Sequence, residues 1–379
     1  MCQTKAMRNI FVMLLLCAAG FGQTPPGTLD PSKAAAKPTD PPKVTESEQP
    51  VDEAGKIIVT TNLLIAPTTV VDKRGDYVNG LTIDDFQLFD NNKPQKIVAD
   101  IHDQPLSLVV AVQKSSNLNE ILPKIQRIGT MLNDVIAGAD GETAVIAFDH
   151  RVVVAQDFTN ETGKITETMK KLTPGSSQHA VDDAVMTGIR MLRKRALDRR
   201  RILLLISEKR DKGSEIRVRE VLTEAEFANV VIYSLDISSI VAGLTSKGMP
   251  PPPPSIPAAA QHMPAGVDAT PTLVEQNYYT GNFIPMFVDI FKAAKSIFVE
   301  DPVVVFTRFT GGKEYPFVSE KSLERAIAGI SQEIHSQYLL SYQPNNLSEG
   351  GFHEIRVTVN RPQLEIRTRP GYWVAARPQ

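Results

Sequence analysis

Few side chains in this 379-residue chain are suited to metal binding or nucleophilic catalysis. The two cysteines are Cys2 and Cys17, so thiolate sites and disulfides are excluded beyond residue 17. The histidines are scattered and lack the spacing of paired metal ligands. They are His102, His150, His179, His262, His335 and His353. We expect each of them to be an ordinary surface or loop residue.

Sequence motifs of catalytic nucleophiles, metalloprotease helices and dinucleotide-binding loops are missing. The segment Gly163-Lys164-Ile165-Thr166 is similar to the end of a phosphate-binding loop, but the upstream glycine of such a loop is missing. We therefore predict that the protein is not an enzyme and that it carries no cofactor.

A cluster of basic residues lies between positions 190 and 201. It consists of Arg190, Arg193, Lys194, Arg195, Arg199, Arg200 and Arg201. The whole chain has a formal net charge of -2, whereas nucleic-acid binding needs a surplus of Lys and Arg. Cations are also favoured at the end of a helix, where the predicted elements place this cluster. We interpret it as a solvated face and expect no nucleic-acid partner.

The first 22 residues have the pattern of a secretory signal peptide. Basic residues precede an apolar run from Ile10 to Ala19, and small residues lead to a cleavage site near Gly22. The run is shorter than the roughly 18 residues of a membrane-spanning helix. Leu16 is bulky where a small residue should precede a lipidated Cys17. We predict a secreted or periplasmic protein with no transmembrane segment in its mature chain.

Two segments have the composition of unstructured chain. Residues 23–55 are rich in proline and charged residues, and residues 244–272 contain the proline run Pro250 to Pro254. Such segments bury too little apolar surface to offset the loss of chain entropy. We predict a disordered linker at 23–55 and a stiff, exposed proline-rich loop at 244–272.

Residues 104–336 alternate apolar runs with amphipathic segments. Buried strands are predicted at Leu106–Val112, Thr143–Phe148, Ile202–Ile206 and Val230–Leu235, with a shorter one at Val152–Ala155. Helices are predicted at Ile121–Leu132, Val181–Leu192, Arg217–Ala228 and Leu323–Ile334. This alternation predicts an α/β domain with a doubly wound sheet.

The segments on either side, 56–103 and 337–376, have the alternating pattern and the Asp, Asn and Gly turns of short antiparallel strands. Ile57–Thr60 is the first such strand. Neither segment is long enough to close a sandwich alone, and the edges of short sheets need partners. We therefore predict that the two segments pair in a small β-sandwich-like unit in which the α/β domain is inserted, or on which it packs.

The stretch from Leu106 to Asn117 resembles the first strand and loop of a von Willebrand factor A domain. Further similar segments follow in the expected order, namely Thr143–Asp149, Asp182–Val185 and Leu203–Glu208. The flanks are similar to exported bacterial proteins related to this family, which are abundant in acidobacteria. They are Gly80–Phe86, Phe309–Gly312, Tyr338–Pro344 and Arg367–Tyr372. The order of these segments over residues 56–376 carries the resemblance.

In that family, three loops supply Asp-x-Ser-x-Ser, a threonine and an aspartate to a divalent cation. At the corresponding places this sequence has Gln113, Ser115 and Asn117 in the first loop. His179 stands at or near the threonine, and Glu208 replaces the aspartate. A hard cation needs oxygen ligands and paired carboxylates, and imidazole is a poor ligand for Mg²⁺. The resemblance thus implies a degenerate site without metal, whose loops remain the expected contact surface.

Two hypotheses of function follow from these observations. The first is an exported, non-catalytic protein-interaction module whose partner is a protein or a component of the cell envelope. The second is an adhesin that depends on a divalent cation such as Mg²⁺. Its rearranged acidic site would combine Glu208 with Asp182 or Asp211. Titration with divalent cations distinguishes the two hypotheses.

Overall fold

The computed structural model describes residues 63–101, 104–238, 284–292, 299, 301–317 and 319–374. The predicted signal peptide, the linker at 23–55, the strand at Ile57–Thr60 and the proline-rich loop at 244–272 lie outside the described residues. Within the described ranges, no helix has the length and apolar character needed to cross a membrane.

The described residues contain fourteen β-strands in three sheets. They are β1 (Leu64–Asp72), β2 (Phe86–Asp90), β3 (Lys93–Gln95), β4 (Ile97–Asp100), β5 (Leu106–Gln113), β6 (Glu142–Phe148), β7 (Val152–Thr159), β8 (Arg200–Ser207), β9 (Val230–Asp236), β10 (Glu314–Pro316), β11 (Tyr338–Tyr342), β12 (Gly351–Val359), β13 (Leu364–Thr368) and β14 (Gly371–Val374). The α-helices are α1 (Leu122–Gln126), α2 (Gly129–Met131), α3 (Thr162–Lys171), α4 (Val181–Arg193), α5 (Val218–Ala228), α6 (Ile284–Lys292), α7 (Pro302–Thr310) and α8 (Glu320–Ser336).

A six-stranded sheet with the order β10-β9-β8-β5-β6-β7 forms the centre of the α/β domain. Its strands are parallel except β7, which runs antiparallel to β6 at the edge. The chain fills one side of β5 with β6 and β7, and then crosses to the other side with β8. This reversal is the switch point of a doubly wound sheet, and ligands of such folds bind there, at the carboxyl ends of the strands.

Helices cover both faces of this sheet, which explains why β5 and β8 are buried along their whole lengths. Successive side chains of a strand point to opposite faces. Accordingly, Leu108 and Val110 belong to the core that contains α1, α3 and α8, whereas Val109 and Ala111 belong to the core on the side of α4 and α5. Each fully buried side chain of this kind contributes about 1.5–3 kcal/mol. The continuous apolar runs in the sequence result from this burial on both faces.

Two four-stranded antiparallel sheets form the β unit, with the orders β13-β1-β11-β4 and β14-β12-β2-β3. Each sheet combines strands from before and after the α/β domain, as in the pairing of β1 with β11 and of β2 with β12. Their apolar faces share one core, which includes Val70, Leu88 and Leu340. The predicted fold class is therefore confirmed: a doubly wound α/β domain accompanies a sandwich-like unit built from both β segments.

A buried carboxylate, Asp90, joins the two sheets of the β unit. It accepts hydrogen bonds from the hydroxyls of Tyr372 (2.6 Å) and Tyr342 (3.2 Å) and from the amide of Asn346 (2.9 Å). His353 Nδ1 lies 2.7 Å from the same carboxylate. Burial, followed by the charge of Asp90, raises the pKa of Tyr342, so its hydroxyl stays protonated as a donor. Because every polar partner is itself buried, this hub fixes the relative position of the two sheets.

The helix predicted over Ile121–Leu132 is interrupted in the structure. It consists of α1, α2 and a π-helix at Leu132–Ala137. A Cβ at Gly129 would lie 2.9 Å from Thr166 Cα of α3. The apolar period showed which face is buried. It did not show the close approach of α3, a helix that the sequence pattern did not predict.

The prediction of a short buried strand at Val152–Ala155 was wrong in length and burial. Strand β7 runs on to Thr159 at the edge of the sheet, and Val153 and Val154 are about half exposed. An apolar run does not reveal whether its strand has one neighbour or two, since that depends on the sheet order. Helices α6 and α7 and strand β10 were likewise not predicted.

Candidate functional site

Strands β5 and β8 bring the predicted site residues to one place. Gln113 is the last residue of β5, and Glu208 directly follows β8. The two strands are parallel neighbours, with Val112 paired to Ile206. Their carboxyl ends therefore lie side by side at the switch point, where ligands of doubly wound sheets bind.

The side-chain amide of Gln113 organises this point. Its Oε1 accepts the backbone N–H of Glu208 at 2.8 Å, which fixes the orientation of the amide because an N–H only donates. Its Nε2 consequently donates to Glu208 Oε1 at 3.0 Å and to Ser115 Oγ at 2.7 Å. Gln113 and Ser115 are completely buried. Ser115 Oγ and one carboxylate oxygen of Glu208 thus face the amide N–H₂ group of Gln113.

An ion pair beside this amide was not predicted from the sequence. Lys114 Nζ donates to Asp149 Oδ2 at 2.9 Å. Asp149 also accepts the backbone N–H groups of Arg151 and Ser176 at 2.8 and 3.1 Å. Burial alone would raise the pKa of Asp149, but the hydrogen bonds from Lys114 and the backbone hold it well below its usual range. Lys114, directly after β5, and Asp149 therefore form a partly buried ion pair.

Gly175 makes this ion pair sterically feasible. A Cβ at this position would lie 1.9 Å from Asp149 Oδ2 and 2.6 Å from Lys114 Nζ. The backbone N–H of Gly175 donates to the carbonyl of Lys114 at 2.6 Å. The loop between α3 and α4 therefore packs tightly over the loop that follows β5. The sequence shows a glycine at 175 and a lysine directly after β5, but it does not show that the two loops approach each other closely enough to form this pair.

His179 is completely buried close to these groups. Its Nε2 lies 2.9 Å from the carbonyl oxygen of Arg210, which can only accept, so Nε2 carries a proton. Within the described part of the chain, Nδ1 has no hydrogen-bond partner. Burial lowers the pKa of His179, and the nearby charge of Glu208 only partly opposes this effect. The imidazole is therefore neutral at pH 7.

The two alternative acidic residues differ from each other. Asp211 accepts the backbone N–H groups of Val181 at 2.7 Å and of Ser214 at 3.0 Å, and it thereby anchors the start of α4. Burial, followed by repulsion from Asp211 and Asp183, raises the pKa of Asp182 to about 8. A carboxyl group that is mostly protonated at pH 7 is a poor cation ligand.

The structure thus places Gln113, Ser115 and Glu208 in direct contact, and the charges of Glu208 and Asp211 both act on His179. Asn117 lies in a short 3₁₀ turn, Ser116–Leu118, and its side chain is outside the described residues. Over the described ranges, no group of three or more His, Cys, Asp or Glu residues is arranged to hold a metal ion.

Comparisons with known proteins give likenesses only among solved structures, since no family model and no curated protein matches the sequence. The vWF domain of the type V pili tip protein Mfa5 from Porphyromonas gingivalis is 18% identical, with a TM-score of 0.25, over 28% of this chain. The match spans 39% of the length of that domain. The conserved hypothetical protein BatB from Bacteroides thetaiotaomicron is 14% identical, with a TM-score of 0.36, over 60% of this chain and 99% of its own.

An aerotolerance-related membrane protein from Bacteroides fragilis is 11% identical, with a TM-score of 0.37, over 60% of this chain and 98% of its own. These likenesses concern the fold. The order of the six strands, the antiparallel edge strand and the three loops meeting at the ends of β5 and β8 give the class: the α/β domain is von Willebrand factor A-like.

Proposed function

We propose that this protein is an exported, non-catalytic binding module that contacts a protein or cell-envelope partner without a divalent cation. The contact surface would be the loop edge, which we define as the loops at the carboxyl ends of β5, β6 and β8 together with the loop between α3 and α4. The observation that carries this proposal is the Gln113 amide, which occupies the oxygens of Ser115 and Glu208 with its own donors.

Charge balance supports a binding mode without a cation. In a metal-dependent site the cation neutralises the acidic ligands, and their lone pairs point at it. Here the Lys114 ammonium neutralises Asp149, and the Gln113 amide donates to Glu208. A divalent ion would have to displace both donors, and Mg²⁺ requires near-ideal geometry from the oxygens that remain.

The state of the polar side chains also supports a non-catalytic role. A nucleophilic hydroxyl needs a base within hydrogen-bond reach. Ser115 Oγ accepts from the Gln113 amide, and His179 uses its Nε2 on the carbonyl of Arg210. Both side chains are completely buried. Neither has the freedom or the exposure that an attack on a substrate requires.

Thermal unfolding with and without Mg²⁺ tests the cation-independent site. The wild-type protein should melt at the same temperature in millimolar Mg²⁺ and in chelator. The triple variant Gln113→Asp, Asn117→Ser and His179→Thr restores the family's ligand types and should gain a Mg²⁺-dependent shift. At a Mg²⁺ concentration 100 times the Kd, this stabilisation amounts to about 2.7 kcal/mol.

The matched control is the double variant Asn117→Ser and His179→Thr, which keeps Gln113 and should show no Mg²⁺ dependence. A Mg²⁺-dependent shift in the wild-type protein that Glu208→Ala abolishes would instead establish the cation-dependent adhesin.

Capture from native envelope extract tests the loop edge as the contact surface. His150 and Gln178 are exposed there, and His150→Glu with Gln178→Glu should remove any specifically captured protein. Val98→Glu, at an exposed position on the β unit, serves as the matched control and should leave capture unchanged. Equal capture by both variants would contradict the assignment of the surface.

A further inference from the structure

A second polar region lies at the opposite end of the parallel sheet. A crevice with a cavity volume of about 80 Å³, partly open to solvent, separates the amino-terminal ends of β8 and β9 from β1 and β11 of the β unit. Helices α5 and α7 complete its walls. This volume is below the range of about 300–1,000 Å³ of sites that enclose a whole small molecule, so it has room for a head group while the rest of a ligand lies along the open side. We call it the basal crevice.

Three arginines that line the basal crevice are more than nine-tenths buried: Arg200, Arg201 and Arg369. Arg200 and Arg201 form no salt bridge with any described residue, and they donate to neutral backbone carbonyls. The acceptors include the carbonyls of Ile334 and Ala228, each within 2.9 Å. Neither guanidinium is therefore in direct contact with a described carboxylate, although the charge of Asp100 acts on Arg200.

A single carboxylate, Glu226, lines the crevice. Its Oε2 lies 4.0 Å from Arg369 Nη2, which is too far for a hydrogen bond, and it accepts the backbone N–H of Trp373 at 3.2 Å. Glu226 and Asp100, whose charge acts on Arg200, are two carboxylates against three arginines. The crevice consequently has an excess of positive charge within a mostly apolar environment.

Each of these arginines also has a buried donor that lacks a partner among the described residues. The atoms are Nε of Arg200, Nε of Arg201 and Nη2 of Arg369. A buried donor without an acceptor costs free energy, and a buried charge without a partner costs more. Burial accordingly lowers the pKa of Arg200 and Arg201. An anion in the crevice would relieve both costs.

The rest of the lining is apolar. Ile65, Leu339 and Phe309 line the interior, and the Arg369 guanidinium lies 5.7 Å from the centre of the Phe309 ring. Leu197 also lines the crevice while 90% exposed, an unusual degree of exposure for a leucine. An inorganic ion would leave this apolar surface uncovered, whereas a ligand with an apolar body would bury it.

We propose that the basal crevice binds a small amphipathic carboxylate of the fatty-acid type, with its carboxylate at the buried arginines and its apolar body along the aliphatic and aromatic wall. Guanidinium donors match the planar, singly charged carboxylate in geometry and charge. The site lies at the opposite end of the sheet from the loop edge, so it goes beyond the binding function proposed above and can fail independently of it.

Calorimetric titration of the full chain with decanoate, decanol and acetate tests the proposal. Decanoate should bind at least tenfold more tightly than decanol, because decanol lacks the charge, and acetate should give no measurable binding. Equal affinity for decanoate and decanol would overturn the proposal by showing an apolar groove only. Acetate binding as tight as that of decanoate would overturn it by showing an adventitious ion only.

A surface variant locates the site without disturbing the buried arginines. Leu197→Glu places a like charge at the exposed edge of the crevice and should weaken decanoate binding at least fivefold. Val153→Glu, on the distant edge strand β7, is the matched control and should bind decanoate like the wild type. Unchanged binding by Leu197→Glu, or equal weakening by both variants, would assign decanoate to another part of the protein.

Discussion

The two ends of the α/β sheet differ in how their buried charged side chains are paired. At the carboxyl end, Gln113 and Lys114 supply donors to Glu208 and Asp149, so that the chain neutralises its own acids. At the amino end, Arg200 and Arg201 are buried without a carboxylate in contact. The comparison teaches that the end expected to bind an ion is satisfied internally, whereas the arginines at the other end outnumber the nearby carboxylates.

The largest loss of stability is expected when the buried hydrogen bonds at the carboxyl end of the sheet are removed. Gln113→Leu removes the donor to Glu208 and Ser115 and the acceptor of the Glu208 backbone N–H. Leaving these buried groups unpaired should lower the free energy of unfolding by about 4 kcal/mol in urea denaturation. Gln126→Leu, which loses one hydrogen bond to the carbonyl of Leu172, is the control and should cost about 1 kcal/mol. Equal losses would mean that the Gln113 network is not special.

Asp182 lies at the carboxyl end of the sheet but has a buried carboxyl oxygen without a hydrogen-bond partner among the described residues. Its titration therefore tests the comparison between the two ends. Its pKa of about 8 in the folded protein lies above the value of about 3.9 in an unfolded chain. The folded state therefore holds a proton that the unfolded state releases, and stability is lost as the pH rises from about 4 to 8. Asp182→Asn should stabilise the protein by about 3 kcal/mol at pH 8 and leave it nearly unchanged at pH 4. Asp140→Asn, at an exposed position, should show no such difference between the two pH values.

At the amino end, Glu226→Gln tests whether the crevice lacks an anion. Burial raises the pKa of Glu226 more than Arg369 lowers it, so its charge costs stability at neutral pH. Glutamine keeps an acceptor for the Trp373 N–H. We expect the variant to bind decanoate a few-fold more tightly by calorimetry and to gain up to about 1 kcal/mol of stability at pH 7. A clear loss of stability would identify Glu226 as the counter-charge that the arginines need.

The smallest effect is expected at an exposed ion pair between two helices. Arg193 of α4 contacts Glu224 of α5 at 2.6 Å on the surface. Arg193→Ala should change the free energy of unfolding by less than about 1 kcal/mol, since solvent screens exposed pairs. A loss of stability as large as that of Gln113→Leu would contradict this explanation, because the Gln113 hydrogen bonds are buried and the Arg193–Glu224 pair is exposed.

Much of the fold could be predicted because its strands are buried on both faces. The runs at Leu106–Val112 and Ile202–Ile206 have no other simple interpretation, and their order requires a doubly wound sheet. The place where Gln113 meets Glu208 follows from the same logic, since both residues stand at the carboxyl ends of adjacent strands. The contact between these two residues at the switch point could therefore be predicted from the local sequence together with the strand order.

Other features depend on distances that a sequence pattern does not contain. The pairing of Lys114 with Asp149 requires the second loop to fold over the first at Gly175. The basic cluster was interpreted as a solvated face, yet Arg200 and Arg201 are buried within β8. Strand periodicity assigns alternate residues to opposite faces. It does not show that both arginines turn back to bind backbone carbonyls at the base of the sheet.

Asp90 has a consequence for the order in which the molecule forms. Its partners Tyr342 and Tyr372 follow it by 252 and 282 residues. A chain made from its amino terminus presents β2 long before either tyrosine exists, while all the strands of the α/β sheet lie between them. We therefore expect the α/β domain to fold first and the β unit to close last and slowly, because its contacts join the most distant parts of the chain. A β unit in which Asp90 has all its partners can therefore form only after the chain has been synthesised at least as far as Tyr372.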